Sequence, residues 1–219
     1  MKTNHQKINE IFLELKKVKK KVIQLNKINT DIKNFILQLK KNKIKPERAK
    51  RLDQIAKNII KNNYPSILFV CTHNSRRSQF AEIWGNTINF IYNKKIKIIS
   101  AGTKKKAFND RAINTIKEIG FDVKKIKNKC HIKFSENYKS IVMFSKTINE
   151  IDNNTPLISI MTCSDEDKNC PVVPNALNRF LLSYEDPRLS DNSKIEKTKY
   201  LEACKTIGTE ILYLFSKIN

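Results

Sequence analysis

The chain has 219 residues, 40% hydrophobic and 29% charged, and its 43 basic against 21 acidic side chains leave a formal net charge of +22. That length holds one α/β domain of about 150 residues with an appendage. No stretch approaches the roughly 20 apolar residues of a membrane span, and the N-terminus lacks the apolar core of a secretion signal, so a soluble cytoplasmic protein without membrane partners is expected.

From the N-terminus, Ile11, Leu15, Val18, Val22, Leu25, Ile32, Ile36 and Leu39 follow a 3-4 spacing. Pro46-Glu47-Arg48 has the composition of a first helical turn, in a helix ending near Ile60. The spacing predicts two or three amphipathic helices. They could form a short coiled coil with Asn29 as a polar interruption, or fold back on the rest of the chain; stripes this short favour folding back. The texture changes near Asn62 to Pro65, which divides the chain into a helical extension, residues 1–64, and a catalytic region, residues 65–219. Lysine clusters at Lys16 to Lys21 and Lys104 to Lys106 are the footprint of nucleic-acid binding. However, 36 of the 43 basic residues are Lys, and aromatic residues are not interleaved with the basic runs. A solvated surface with weak, nonspecific, salt-sensitive nucleic-acid association is the reading.

Ser66 to Val70 (SILFV) is a short buried strand and Gln79 to Phe90 the helix that follows. Between them runs Cys71-Thr72-His73-Asn74-Ser75-Arg76-Arg77-Ser78. A strand-to-helix loop gathers backbone N–H groups and the positive end of the helix on one point, so it can hold an oxyanion without a metal. A cysteine at its mouth is favoured as thiolate and becomes a nucleophile. The last loop residue can point back into the cradle, which assigns oxyanion pairing to the planar fork of Arg77 and leaves Arg76 facing outward. Ser78 is placed to hydrogen-bond the Cys71 sulfur. The bland reading of Cys71 is a buried free thiol beside two solvated arginines.

Further along, Lys95 to Ser100 is a strand, Asn109 to Ile119 a helix stopped by Gly120, Ser140 to Ser145 and Leu157 to Thr162 strands, and Ser193 to Ser216 a long final helix. This alternation predicts an α/β fold with a four-stranded parallel sheet covered by helices on both faces, and its ligand at the carboxyl ends of the strands. Cys71 and Cys163 both follow strands and so fall on one sheet edge. Cys163 and Cys170 are too far apart for a thioredoxin-like C-x-x-C and lack the further Cys/His pair of a zinc site. They suit a disulfide relay, in which Cys163 reaches a sulfur adduct on Cys71 and Cys170 then attacks Cys163. Cys130 and Cys204 are read as structural. Asp186 before Pro187 is by itself only a turn former.

Together these segments resemble the low-molecular-weight protein tyrosine phosphatases and, more closely, the thioredoxin-coupled arsenate reductases of the same fold. FVCTHNSRRSQFAE is similar to their phosphate loop, IISAGT to the end of their second strand and NDRAINTIKEIGFDV to their second helix. MTCSDEDKNCP is similar to the segment with the two recycling cysteines, and YEDP to the segment with the general acid. The resemblance covers about Ser66 to Asn219. It implies a catalytic set of Cys71, Arg77, Asp186, Cys163 and Cys170, with Thr72, His73, Asn74, Ser75, Arg76, Arg77 and Ser78 around the oxyanion. It also implies thioredoxin as electron donor and no required cofactor, with a potassium site at Asn74, Glu82 and Ser100.

The chain departs from the family at three places. His73 stands where the family usually has glycine, so any positive-φ position falls on a residue such as Asn74. Arg76 replaces a common cysteine. Arg188 and Leu189 replace tyrosines that line the phosphotyrosine slot, which counts against a phosphotyrosine substrate. Three functions follow in order: arsenate reduction, phosphomonoester hydrolysis, and noncatalytic binding through a basic surface. His73 is either a solvated loop residue or a modulator of the Cys71 thiolate.

Overall fold

The computed structural model describes residues 4–152, 154–163 and 173–218. Three helices come first: α1 (Asn4–Asn26), α2 (Thr30–Leu39) and α3 (Pro46–Lys61). Asn29 caps α2 by accepting the Asp31 N–H, and Pro46 opens α3, where a missing N–H costs no helical bond. Ile32, Ile36 and Leu39 of α2 and Leu52, Ile55, Ala56 and Ile59 of α3 share one core with Trp84 and with Ile207 and Ile211 of the last helix. These two helices therefore fold back on the rest of the chain, as their short stripes favour. In α1, by contrast, Ile11, Leu15, Val18 and Val22 are exposed. That helix reaches its neighbours near its C-terminal end, through Leu25, which packs against the core, and Lys21, whose ammonium donates to the Tyr92 hydroxyl at 2.7 Å.

The apolar run SILFVC forms β1 (Ser66–Cys71), buried along its length as a strand covered on both faces must be. It lies between β2 (Ile98–Gly102) and β6 (Leu157–Met161), and β7 (Ala176–Leu181) completes a four-stranded sheet in the order β2-β1-β6-β7. All three pairings are parallel. The helix α4 (Arg77–Ile91) follows β1 and packs against α6 (Glu196–Lys217). Trp84 of α4 stacks on Phe35 of α2 at 5.7 Å and meets Phe121 edge-on at 5.5 Å. Gly208 of α6 approaches so closely that a Cβ there would lie 2.9 Å from the indole and from Leu39. Among the described residues no helix is long and apolar enough to cross a membrane.

The parallel sheet has the expected four strands, but one member differs. The segment expected as a strand at Ser140 to Ser145 is β5 (Ile141–Met143), which belongs to a separate antiparallel sheet with β3 (Asp122–Ile126) and β4 (Lys129–Lys133). Lysine-rich strands such as DVKKI carry no apolar run. What pairs them is alternation, with Cys130 and Ile132 buried beneath exposed lysines. The fourth parallel strand, β7, is an edge strand of mixed polarity (ALNRFL) that gives the same weak signal. Lys95 and Lys97 lie before β2, which starts at Ile98 and extends to Gly102. The helix α5 (Asp110–Glu118) starts where expected, capped by the Asn109 side chain.

Candidate active site

Cys71 ends β1, with 4% of its surface exposed, and the loop from Thr72 to Arg76 leads into α4. The loop's carbonyls are pinned from outside. Thr72 O accepts from Lys104 N at 2.8 Å and from Thr103 Oγ1 at 3.0 Å, and His73 O accepts from Ser145 Oγ at 3.0 Å. Asn74 O accepts from Gln79 Nε2 at 2.9 Å, and Ser75 O from Asn109 N at 3.0 Å. Because each trans peptide sets its N–H opposite its carbonyl, these anchors turn the N–H groups of residues 73–76 the other way, the arrangement an oxyanion cradle needs. The left-handed position of this glycine-free loop is Asn74, at φ 44°. The glycine that matters lies opposite, in β2: a Cβ on Gly102 would sit 2.8 Å from both Asn74 N and Thr72 O.

A hydrogen-bond chain runs beneath the loop. Asn74 Nδ2 donates to Ser78 Oγ at 2.9 Å and to Ser100 Oγ at 2.8 Å, and Ser100 Oγ donates to Glu82 Oε2 at 2.5 Å. Ser78 Oγ lies 3.0 Å from Cys71 Sγ, within hydrogen-bond reach of the sulfur as its position in the loop suggested. Since Asn74 already donates to that oxygen, the Ser78 proton is free to point at sulfur. Burial pushes the Glu82 carboxyl pKa up, against the opposing pull of Lys146 and Ser100. The Lys146 ammonium lies 3.5 Å from Glu82 Oε2, both side chains being nearly enclosed, and its backbone N–H donates to Asn74 Oδ1 at 2.9 Å. Asn74, Glu82 and Ser100 thus meet as the family resemblance implies, but around a lysine. Their oxygens are engaged by the chain's own donors and do not fit a potassium ion as an open ligand set would. Among the described residues no group of three or more His, Cys, Asp or Glu side chains is placed to hold a metal.

Arg77 is the first residue of α4 and 6% exposed. Its Nη1 donates to the Tyr184 carbonyl at 3.0 Å and its Nη2 to Asp186 Oδ2 at 2.8 Å. Arg76 does not face outward. It is 9% exposed, and its Nε donates to the other Asp186 oxygen, Oδ1, at 3.0 Å. The correction has a physical reason: a carboxylate with two oxygens can take one guanidinium on each, and Asp186 returns to the loop from the far end of the chain. Spacing within the loop alone could not reveal that partner.

Cys163 lies two residues beyond the end of β6, 1% exposed. Its neighbour Thr162 is tied to β1, with Thr162 N donating to Val70 O at 2.7 Å and Thr162 Oγ1 to the same oxygen at 2.9 Å. Cys71 and Cys163 therefore leave adjacent strands at one sheet edge. Cys170 falls outside the described residues. Cys204 is buried under the Trp84 indole N–H at 3.3 Å, and burial pushes its thiol up to about 12, as suits a structural cysteine. Cys130 is likewise buried, and burial raises its thiol pKa.

Beside the loop a cleft of about 300 Å³ is lined by Ser75, Arg76, Lys106, Phe108, Asn109 and Arg188, among others. His73 at the rim has its pKa lowered, first by burial and then by Lys106, Arg76, Arg188 and Lys104. It is therefore neutral at pH 7, and the positive field of the rim comes from the lysines and arginines. Sequence reasoning missed Lys146, Gly102 and the anchor Ser145. Gly102 lies within IISAGT but gave no sign of its contact with the loop, Lys146 and Ser145 sit in no recognisable motif, and all three meet the loop through the packing of β2 and the segment after β5.

The profile of the family described as low molecular weight phosphotyrosine protein phosphatase matches residues 66–168. Arsenate reductase 1 of Staphylococcus epidermidis is 30% identical over 138 residues, covering 61% of this chain and 86% of that protein. Arsenate reductase 2 of Staphylococcus saprophyticus is 29% identical over 134 residues, covering 61% and 87%. Among solved structures, an arsenate reductase from Archaeoglobus fulgidus gives a TM-score of 0.48 at 21% identity, over 69% of this chain and 99% of that one. A low molecular weight phosphotyrosine phosphatase from Vibrio cholerae gives 0.46 at 18% identity, over 69% and 95%. The 30% identical relative, spanned over 86% of its length, makes this chain a member of the arsenate reductase family, and residues 66–168 also match the low molecular weight phosphotyrosine protein phosphatase profile; both kinds of relative are enzymes.

Proposed function

We propose that the protein reduces arsenate with Cys71 as nucleophile. The Cys71 thiolate attacks the arsenic of an arsenate held by loop N–H groups and Arg77, and Asp186 protonates the departing oxygen, which leaves as water. Cys163 thiolate then attacks Cys71 Sγ. The sulfur–arsenic bond breaks, its electron pair stays on arsenic, and arsenite departs as a Cys71–Cys163 disulfide forms. Cys170 attacks Cys163 Sγ, freeing Cys71 and leaving a Cys163–Cys170 disulfide for a thioredoxin dithiol to reduce. The observation that carries this reading is the position of Cys163, two residues beyond the end of β6, the strand hydrogen-bonded to the one that ends at Cys71. The names of the curated relatives point the same way. No cofactor is needed, and Lys146 already supplies a cation where the resemblance implies potassium.

Phosphomonoester hydrolysis is the second reading, favoured by the set of Cys71, Arg77 and Asp186, which would suffice if water instead attacked a phosphoryl adduct. A purely noncatalytic role finds no support in relatives that are enzymes. Arsenate-dependent oxidation of reduced thioredoxin, run beside hydrolysis of an aryl phosphate, tests the choice. Thioredoxin oxidation that requires arsenate and Cys163 is expected; hydrolysis alone would favour the second reading.

A further inference from the structure

Helix α3 lies before residue 66, where the family match begins, yet it grips the segment that carries Asp186. Arg48 Nε and Nη2 engage the two carboxylate oxygens of Glu210 at 2.8 and 2.5 Å, a bidentate pair in which Glu210 is almost wholly enclosed. Its Nη1 donates to the Ser183 carbonyl at 3.1 Å, and its guanidinium lies 5.1 Å from the centre of the Tyr184 ring. Three residues further along α3, Arg51 Nη1 donates to the Leu181 carbonyl at 3.2 Å. On the other side, the Tyr184 carbonyl and the Asp186 carboxylate are both held by Arg77.

The strap from Leu181 to Asp186 is thus stretched between the oxyanion arginine and two arginines of the N-terminal helices. Leu181 ends β7, and beyond it the strap's backbone bonds among the described residues are Leu182 N to Met161 O at 2.8 Å and Tyr184 N to Thr162 O at 3.3 Å. Beyond Asp186 the chain turns outward, and Leu189 is 82% exposed. The turn that follows adds one bond to the carboxylate, Arg188 N donating to Asp186 Oδ1 at 3.1 Å, while the clamp before it holds the backbone that carries Asp186.

We propose that Arg48 is a positioning residue for the general acid, and that the N-terminal helices serve the reaction by setting where Asp186 stands. The inference rests on the covalent reading above, in which Asp186 protonates the leaving oxygen. Arg48 itself touches neither Cys71 nor the loop that holds the oxyanion.

Two aryl phosphates separate positioning from mere stability. Nitrophenolate leaves without a proton, whereas phenolate needs one, so displacing the acid slows phenyl phosphate selectively. Arg48→Met is expected to lower kcat/KM for phenyl phosphate about tenfold more than for 4-nitrophenyl phosphate, the scale of a small misplacement of a catalytic group. Asp186→Asn should show the same selectivity, and adding Arg48→Met to it should bring no further selective loss. Should Arg48→Met fail to fold, the ratio is read on Arg48→Lys, which keeps a charge on Glu210 but loses the fork. Equal losses on both esters would overturn the positioning role alone. A wild type that turns over neither ester would overturn the hydrolytic step and the proposal together, while leaving arsenate reduction to its own assay.

Discussion

Arg76 and Asp186 form an ion pair at 3.0 Å, and Arg77 holds the second oxygen of the same carboxylate at 2.8 Å. Asp186 and Arg77, the proposed general acid and the proposed oxyanion-binding arginine, are therefore bound to each other. An incoming oxyanion competes with Asp186 for Arg77, and Arg76 remains to retain the acid at the mouth. Loss of Arg76 should lower kcat more than it raises KM, by about tenfold, while Arg77→Lys should cost on the order of a hundredfold or more because the bidentate fork is lost. Steady-state kinetics of the two variants checks this order. A silent Arg76→Ala would mean that Arg77 alone keeps the acid in place.

Lys146 and Glu82 make a prediction about stability. Lys146→Met leaves a buried carboxylate without its counter-charge, which typically costs about 3 kcal/mol. Adding Glu82→Gln removes the stranded charge and should recover most of that loss. Denaturant unfolding of the single and double variants measures both steps. Potassium should not stimulate the wild type, since the lysine already holds the place.

The direction of the Glu82 shift sets a pH dependence. Its folded pKa lies above the ordinary carboxylate value, so between the two the native state binds more protons than the unfolded chain. Stability from this group is therefore present at low pH and lost as pH rises through the window. Relative to Glu82→Gln, the wild type should lose unfolding free energy as pH rises from the ordinary carboxylate pKa. A constant difference between the two proteins would show that Glu82 is not shifted.

The central strand, its loop and the flanking helix were legible in the sequence because they obey local rules: an apolar run, a cysteine and an arginine six apart, and a helical stripe. Asn74 was legible as the positive-φ residue because no glycine competes for the position. What stayed hidden depends on distant segments. Arg76 looked solvated because its partner lies 110 residues away. Of the antiparallel sheet only the segment of β5 was expected as a strand; β3 and β4 carry lysines beside their buried residues and give no apolar run. Lys146 had no pattern at all; its carbonyl, accepting from Gly102 N at 2.9 Å, and its N–H, donating to Asn74 Oδ1 at 2.9 Å, bring it beneath the loop.

The junction between the N-terminal helices and the sheet rests on close packing at Gly208. Gly208→Ala would press a methyl group within 2.9 Å of Trp84 and Leu39, and overpacking of this kind costs about 1 to 3 kcal/mol. The melting temperature should fall accordingly. A variant of unchanged stability would show that the indole and Leu39 give way freely.

The reductive reading is tested most directly by one turnover of Cys170→Ser with stoichiometric arsenate. Cys163 follows β6, the strand beside the one that ends at Cys71, so it should still attack the adduct, whereas the missing Cys170 cannot move the disulfide onward. Release of one arsenite per protein, with peptide mapping that joins Cys71 to Cys163, is the expected result. No arsenite, with both cysteines recovered as free thiols, would contradict it.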